Sequence, residues 1–444
     1  MVRFGVTTAA LVGAGALFTQ PAFGQAQDAF DFSAPSSVVQ GSGARAFGMG
    51  GAFLARADDA TAASWNPAGL SYLRRPEVSV VGARRTFDLR TAGTSTGAFV
   101  RSEKSLGYTP DFVSAAWPIQ IGSATGSVQA GYQRVISFEG RRTSEQAISA
   151  SNTISSEAAP IPTLVFTADS GGGFDALSVG AGLRVTRRLR LGFTVNRWLD
   201  GFHEVRERQG GRPSTQEVEL GLSGFNVNGG LIFHPVESLN LAAVFKSPFT
   251  GDLTLTRRRT DRTVDGAEVT STHTASDLTL DFPGALGFGA SWRPLNRLTV
   301  SSDYTRSFWS KGRIYNYFVL PAAGPPEVSD ELYYPTLGEL HADPQRDTEQ
   351  WRLGIEYVLI GKRLRLPLRA GYFTDQQYFE AFGEKPRYSG YTLGAGLIVG
   401  PLLFDVAYVE EWGHHADPRW GVDTRADVKI RQLFTSLIFH FGRR

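Results

Sequence analysis

From Glu77 onward the chain breaks into segments in which apolar and polar residues alternate, and the connections between these segments are alternately very short and long. Alternation with a two-residue period is the pattern of a β-strand. In bacterial outer-membrane barrels the periplasmic turns are tight, whereas the extracellular loops are long. The pattern therefore predicts an antiparallel barrel of about fourteen strands, an even number as a single-chain barrel requires. The predicted strands are 77–90, 111–119, 125–139, 173–187, 188–206, 217–234, 238–257, 276–293, 297–313, 347–360, 363–375, 387–400, 401–412 and 428–441.

The predicted connections fix the orientation of these strands. Tight turns are expected at 120–124, 187–188, 235–237, 294–296, 361–362 and 400–401, and long loops at 91–110, 140–172, 258–275, 314–346, 376–386 and 413–427, with 207–216 unusually short. One further segment, 161–168, also has the pattern of a strand. It either extends a strand above the membrane or lies inside the lumen.

Alternation within three strands predicts which side chains face outward. Those on the outward face are Leu298, Val300, Tyr304, Phe308, Leu364, Leu366, Leu368, Ala370, Tyr372, Leu433, Leu437, Phe439 and Phe441. Those on the inward face are Thr299, Ser301, Asp303, Thr305, Arg365 and Arg369. A soluble β-sandwich would show the same alternation. The choice of a membrane barrel rests on the loop lengths, on the aromatic strand ends and on the N-terminal segment.

Residues 1–24 have the features of a secretory signal peptide. Arg3 supplies a positive charge, residues 6–18 form an apolar stretch, and 22–24 form a small-x-small cleavage site. Cleavage after Gly24 or Ala26 would start the mature chain near Gln25. No later run of about 18 apolar residues predicts a transmembrane helix.

The composition excludes few functions, but it supports export more than it supports nucleic-acid binding. The 444 residues contain no cysteine, which suits passage through an oxidising periplasm, and the net charge is +2 with a mean hydropathy of −0.16. The sequence shows no motif of a hydrolase, a zinc protease or a phosphate-binding loop. His414 and His415 with Asp417 could bind a metal, but a polar loop tip explains them better. No enzyme activity, cofactor or metal is predicted.

Two consecutive segments near the N-terminus are rich in small residues, among which charged and aromatic residues and one proline are interspersed. They are GSGARAFGMGGAF at 41–53 and ADDATAASWNPAGL at 57–70. Together they resemble the N-terminal hatch of the FadL-type long-chain fatty acid transport porins. The resemblance implies an all-β fold in which a hatch at 25–76 plugs a transmembrane barrel at 77–441, leaving 442–444 as a C-terminal extension. Without a plug, a barrel of this size would leak small solutes.

The resemblance extends into the barrel. Residues 278–283, with a proline inside a strand, and residues 302–309 look like strand elements of these porins. A proline within a paired strand removes a ladder hydrogen bond and marks a bulge or a local opening. The last strand, 433–441, resembles an outer-membrane assembly signal, although 442–444 follow its terminal aromatic residue.

The resemblance also implies which residues gate and bind. The expected hatch and gating residues are Gly48, Gly50, Gly51, Phe53, Asp58, Asp59, Asn66, Pro67 and Ala68, and the expected ligand-binding residues are Phe30, Phe32, Phe138, Arg352, Arg365, Arg369, Tyr317 and Phe318. Asn66 and Pro67 could instead simply cap a turn. The aromatic residues of loop 314–346 could equally pack onto the barrel mouth.

A carboxylate head group would need a fixed cation beside an apolar pocket, and an arginine fork suits this task. Arg352, Arg365 and Arg369 are predicted to share the inward face with Glu356, so they could instead pair with lumen carboxylates.

In FadL-type porins the substrate leaves sideways through an inward kink of the third strand. The corresponding kink positions are Gly126, Gly131 and Gly140, although these glycines could merely relieve crowding. The implied function is transport of hydrophobic compounds, either long-chain fatty acids or aromatic hydrocarbons, across the bacterial outer membrane. The implied partners are the apolar ligand, outer-membrane lipid and the barrel assembly machinery. The alternative is a PorV-type protein-binding scaffold of a secretion system, because its hatch motif is similar.

Overall fold

The computed structural model describes residues 40–93, 99–147, 163–199, 201–209, 214–263, 265–311, 346–378, 385–416 and 424–442. The signal-peptide prediction, Phe30, Phe32, Tyr317 and Phe318 lie outside these residues. Within them, no helix is long and apolar enough to cross a membrane.

The described residues form one antiparallel sheet of eighteen strand segments. The segments are β1 (Glu77–Gly93), β2 (Phe99–Ile121), β3 (Ala124–Ser137), β4 (Gly140–Ala147), β5 (Thr163–Arg184), β6 (Leu189–Leu199), β7 (Gly201–Gln209), β8 (Ser214–Val236), β9 (Leu239–Lys246), β10 (Phe249–Arg262), β11 (Glu268–Phe282), β12 (Ala285–Leu295), β13 (Leu298–Ser307), β14 (Thr348–Ile360), β15 (Arg365–Gln376), β16 (Arg387–Val399), β17 (Leu402–Ala416) and β18 (Thr424–His440). The short helices are α1 (Ala44–Gly48), α2 (Ala62–Trp65) and the 3₁₀ helices η1 (Pro67–Tyr72) and η2 (Trp309–Lys311).

The sheet closes on itself as a barrel. Its first strand, β1, pairs with β2 along one edge and with β18 along the other, from Glu77↔His440 to Gly93↔Thr424. Four barrel strands consist of two consecutive segments each, namely β3 with β4, β6 with β7, β9 with β10 and β11 with β12. Counting each of these pairs as one strand gives fourteen antiparallel strands, so the predicted all-β antiparallel barrel and its strand number are confirmed.

The outer surface of the barrel is apolar, and its inner surface is polar. On β14 the outward Trp351 and Leu353 are 52% and 53% exposed, whereas the inward Arg352 and Glu356 are buried. The outward residues predicted on 433–441 are all exposed, and the inward Asp303 is buried. Arg365 alternates in register with the buried Pro367 and Arg369, but it is exposed because it is the first residue of β15, beside a tight turn.

Several predicted loops are shorter in the structure because the strands continue past the apolar band. Segment 163–168 belongs to β5, where Leu164 pairs with Gln146 of β4. Predicted loop 258–275 is mostly a hairpin of β10 and β11, held by polar cross-strand contacts such as Arg262 to Glu268 at 3.1 Å. His414 and His415 lie in β17 and not in a loop. Such segments are polar on both faces, so they lack the alternation that identifies a strand.

Residues 40–76 are largely buried against the inward faces of the strands. Helix α1 contacts β15 to β18, whereas η1 contacts β3, β5, β6 and β8 on another part of the wall. The centre of this segment is Trp65, which is fully buried and meets the rings of Phe47 and Phe53 edge-on at 5.8 and 6.0 Å. Phe47 in turn stacks on Phe434 of β18, with ring centroids 4.0 Å apart. The segment thus extends the hydrophobic core from one side of the wall to another.

Candidate ligand-binding site

Asn66 both caps η1 and binds the barrel. It has an extended backbone, as expected of a residue before proline, and its Oδ1 accepts a hydrogen bond from the N–H of Ala68 at 3.1 Å. Its Nδ2 donates to the carbonyl of Leu54 at 2.9 Å and to that of Leu231 on β8 at 3.2 Å. One fully buried side chain therefore orders the N-terminal segment and connects it to a strand.

The predicted glycines bring the backbone of the segment against β16 and its neighbours. Gly50 and Gly51 have φ values of 68° and 73°, which only glycine adopts freely. The N–H of Gly50 donates to Oγ1 of Thr392 at 2.9 Å, and that hydroxyl donates to the carbonyl of Gly48 at 3.0 Å. A β-carbon at Gly48 would stand 3.1 Å from Cα of Gly394, so a side chain would push the segment from the wall.

Phe53 follows these glycines, and an inward carboxylate fixes its backbone. Oδ2 of Asp303 on β13 accepts hydrogen bonds from the N–H groups of Phe53 at 2.7 Å and Leu54 at 2.8 Å. The alternation placed Asp303 on the inward face, but the sequence gave no sign of its partner.

Asp58 and Asp59 bind a cation of their own segment. The Arg45 Nη1 atom lies 2.7 Å from Asp58 Oδ1 and 3.3 Å from Asp59 Oδ2, and its Nε atom lies 3.3 Å from Oε2 of Glu356 on β14. Burial lowers the pKa of Arg45, but these carboxylates raise it, and the balance holds it well above its usual range. Arg45 thus remains charged and links the segment to the wall.

The three predicted head-group cations do not form one site. Arg369 is buried between two carboxylates, with Nε 2.7 Å from Glu356 Oε2 and Nη1 2.6 Å from Asp405 Oδ1. Arg352 is buried, donates to Gln350 and lies over the ring of Trp65 at 5.9 Å. Arg365 is exposed at the strand end. The arrangement of Arg369 is the pairing that the sequence left open as an alternative.

Phe138 belongs to a group of packed aromatic rings on the inner wall, the lumen aromatic cluster. Its members are Phe138, Phe174, Trp198, Phe202, Phe249 and Phe282. The Phe138 ring lies 5.1 Å from Phe174 and 4.8 Å from Phe202. At the other end, the rings of Phe249 and Phe282 are stacked at 4.7 Å. Such a surface suits apolar and aromatic molecules.

A cleft lies between this cluster and the N-terminal segment. The space inside it is about 570 Å³ when open solvent is included, of which about 40 Å³ can hold the centre of a water-sized sphere. Its lining joins Ala63 and Ser64 of α2 to Trp198, Phe249 and Phe282 of the cluster. The polar lining side chains include Gln133, Ser178, Asn196, Asn226, Asn228 and Lys246.

Sequence reasoning missed these polar residues, although a signal was present. On β8 the outward Phe225 and Val227 are 59% and 47% exposed, whereas Asn226 and Asn228 between them are buried. The alternation of apolar and polar residues along β8 would therefore have placed both carboxamides on the inner face. Among the described residues, no group of His, Cys, Asp or Glu side chains could hold a metal ion.

The strand ladder is interrupted near the cleft at the third barrel strand. Pairing of β2 with β3 ends at Phe112↔Gln133, and pairing of β2 with β4 resumes at Ser105↔Arg141, so 106–111 and 134–140 form no ladder with each other. Gly140, with φ 137°, lies at this gap. Gly126 and Gly131 lie in the regularly paired part of β3. Of the three predicted kink positions, therefore, Gly140 is the one at the interruption.

A second interruption involves Pro283. Pairing of β9 with β12 ends at Lys246↔Ala285, and pairing of β10 with β11 resumes at Phe249↔Phe282. Ser247 donates its N–H to the carbonyl of Val227 at 2.9 Å, toward the neighbouring strand β8. Neither Pro248 nor Pro283 has an N–H to donate. The predicted effect of the proline on the ladder is confirmed.

Comparisons with solved structures agree with this architecture. The chain is similar to a Pseudomonas aeruginosa FadL homologue (13% identity, 90% of this chain and 99% of that chain covered, TM-score 0.59). It is also similar to the P. putida toluene transporter TodX (15% identity, 91% of this chain and 100% of that chain covered, TM-score 0.59). It is also similar to the Ralstonia pickettii toluene transporter TbuX (15% identity, 91% of this chain and 99% of that chain covered, TM-score 0.54). No protein-family model and no curated protein sequence matches the chain. The chain therefore has the fold of the FadL-type barrels, the family that its N-terminal motifs resemble.

Proposed function

We propose that the protein is an outer-membrane transporter of hydrophobic compounds, with no catalytic activity. This proposal rests on the structure of the cleft. Aromatic rings line it, a buried N-terminal segment bounds it, and an interrupted strand ladder lies beside it. A scaffold protein would not need these three features together. The apolar outer surface of the closed barrel supports a location in a membrane.

In this proposal residues 1–24 direct export, residues 25–76 act as a hatch, and residues 77–441 form the transmembrane barrel, with 442–444 as an extension. The contacts of Arg45, Asn66 and Gly50 with the wall support a hatch that closes the lumen at rest. A ligand that displaces part of the segment from the wall would open the lumen locally.

The proposed route begins at the extracellular mouth, passes the lumen aromatic cluster and leaves sideways at the gap between 106–111 and 134–140. Phe138 lies within this gap and contacts the cluster, which supports a connection between the two. Lateral exit suits an apolar molecule, since it avoids transfer into periplasmic water.

The test uses a cross-link at the edge of this gap. The hydroxyl of Ser42 donates to the carboxylate of Asp111 on β2, so cysteines at these positions lie close together. The natural chain has no cysteine, so Ser42→Cys/Asp111→Cys introduces one defined pair. Cells expressing the wild-type protein should take up a fluorescent fatty acid or radiolabelled toluene faster than cells with an empty vector. Oxidation of the double variant should slow uptake, and a reductant should restore it.

The matched control is Ser42→Cys alone, whose uptake should not respond to oxidation. Uptake no faster than with the empty vector, from a barrel that keeps its heat-modifiable migration, would reject transport. It would favour the PorV-type scaffold, which pull-downs with secreted proteins would then identify.

A further inference from the structure

We propose that the cleft binds small aromatic carboxylates, with the Lys246 ammonium as the anion-binding group; this inference rests on the proposed function and specifies its substrate class. Lys246 is the last residue of β9 and lines the cleft, yet it is only 9% exposed. A buried cation is normally paired with a carboxylate, because burial of an isolated charge is costly.

Lys246 has no such partner among the described residues. Its Nζ donates to the carbonyl of Ser64 at 3.3 Å, which uses one of its three N–H donors. An anion in the cleft would supply the missing countercharge.

The asparagines beside Lys246 form a directed chain of hydrogen bonds. Asn196 and Trp198 both donate to Oδ1 of Asn226, at 3.0 and 2.8 Å, and Asn226 donates to Oδ1 of Asn228 at 3.0 Å. These hydrogen bonds fix the Asn228 carboxamide, whose oxygen accepts the bond from Asn226. Its N–H groups have no acceptor within the described part of the chain, so they can donate to an anion that also contacts Lys246.

The other side of the cleft is aromatic. The ring of Trp198 lies 4.9 Å from Phe249 and 5.0 Å from Phe282. Lys246 and Phe249 are separated only by Ser247 and Pro248, where the ladder is interrupted and Ser247 is hydrogen-bonded to Val227 in both directions. Lys246 and the rings of Trp198, Phe249 and Phe282 thus line the same cleft. A ligand that joins an aromatic ring to a carboxylate matches this lining, which combines several aromatic rings with one cation.

The experiment measures equilibrium binding of radiolabelled benzoate, toluene and hexanoate to the purified full-length barrel in a non-ionic detergent near neutral pH. Toluene replaces the carboxylate of benzoate by a methyl group, and hexanoate keeps the carboxylate without the ring. Wild type should bind benzoate more tightly than either. Lys246→Met should weaken benzoate binding about tenfold or more, while toluene binding stays equal or improves. Lys246→Arg should retain most of the benzoate affinity, because it keeps the charge.

Lys362→Met is the matched control, since it removes an exposed lysine at a turn. Heat-modifiable migration verifies that each variant is folded. Benzoate binding that is unchanged in Lys246→Met, or hexanoate binding equal to that of benzoate, would overturn the inference. Toluene binding without benzoate binding would overturn it too, and would leave the proposed function intact. If none of the probes binds and cells show no uptake, the proposed function fails as well.

Discussion

Gly230 of β8 lies directly against the side chain of Asn66, since a β-carbon at position 230 would stand 2.0 Å from Asn66 Oδ1. The same carboxamide is held on its other side by the carbonyls of Leu54 and Leu231. The Asn66 side chain therefore cannot move away from position 230 without losing hydrogen bonds. Anchoring of the N-terminal segment by Asn66 therefore requires glycine at position 230.

Gly230→Ala should release this anchor. Loss of a buried carboxamide hydrogen bond costs about 1–3 kcal/mol, and the variant loses at least one. We expect faster protease cleavage within residues 40–76 and greater sensitivity of cells to bulky hydrophilic antibiotics. Gly229→Ala is the control, because a β-carbon there meets nothing within 4 Å. Equal cleavage of the two variants would show that Asn66 does not anchor the segment.

Arg369→Ala should destabilise the barrel far more than Arg365→Ala. It leaves Glu356 and Asp405 buried with less positive charge, and removal of one partner from a buried ion pair costs about 3–5 kcal/mol. Arg365 is exposed, so its loss should leave stability unchanged. The measurement is the temperature at which heat-modifiable migration is lost. A fall of the same size in both variants would argue against a structural role specific to Arg369.

Gly140→Ala should alter the gap beside the third barrel strand. Its φ of 137° is disfavoured for residues with a side chain, and holding alanine there costs about 1–3 kcal/mol. The variant should either relax 134–140 toward β2 or lose stability locally, and in both cases uptake of a hydrophobic probe should fall. Gly171→Ala, where an added β-carbon meets nothing within 4 Å, should not change uptake. Normal uptake by Gly140→Ala would place the exit elsewhere.

The barrel was largely predictable from the sequence because most positions in its strands follow a simple rule. Outward positions such as Leu366 and Leu437 must be apolar, and their neighbours need not be. The rule no longer applies where the strands extend beyond the apolar band on the outer surface of the barrel. The polar hairpin of β10 and β11 was therefore mistaken for a loop.

The site was less predictable because its contacts join residues far apart in the chain. Alternation places Arg369 on the inward face. It does not reveal that the guanidinium donates a hydrogen bond to Asp405, which lies 36 residues later in the sequence. Conversely, Lys246 was overlooked because an inward lysine in a polar lumen looks ordinary. Its significance lies in a missing partner, which only a three-dimensional arrangement can show.

The pairing of β1 with β18 has a consequence for biogenesis. The edge of β1 that faces β18 has no partner until the last segment of the chain arrives. The N–H of Ala44 likewise donates to Oγ of Ser436, across 392 positions of sequence. Neither the first strand nor the segment that precedes it can reach its final place during synthesis. One edge of β1 stays unpaired until the C-terminal strand arrives, so a chain truncated before β18 would present two open sheet edges and should aggregate or be degraded.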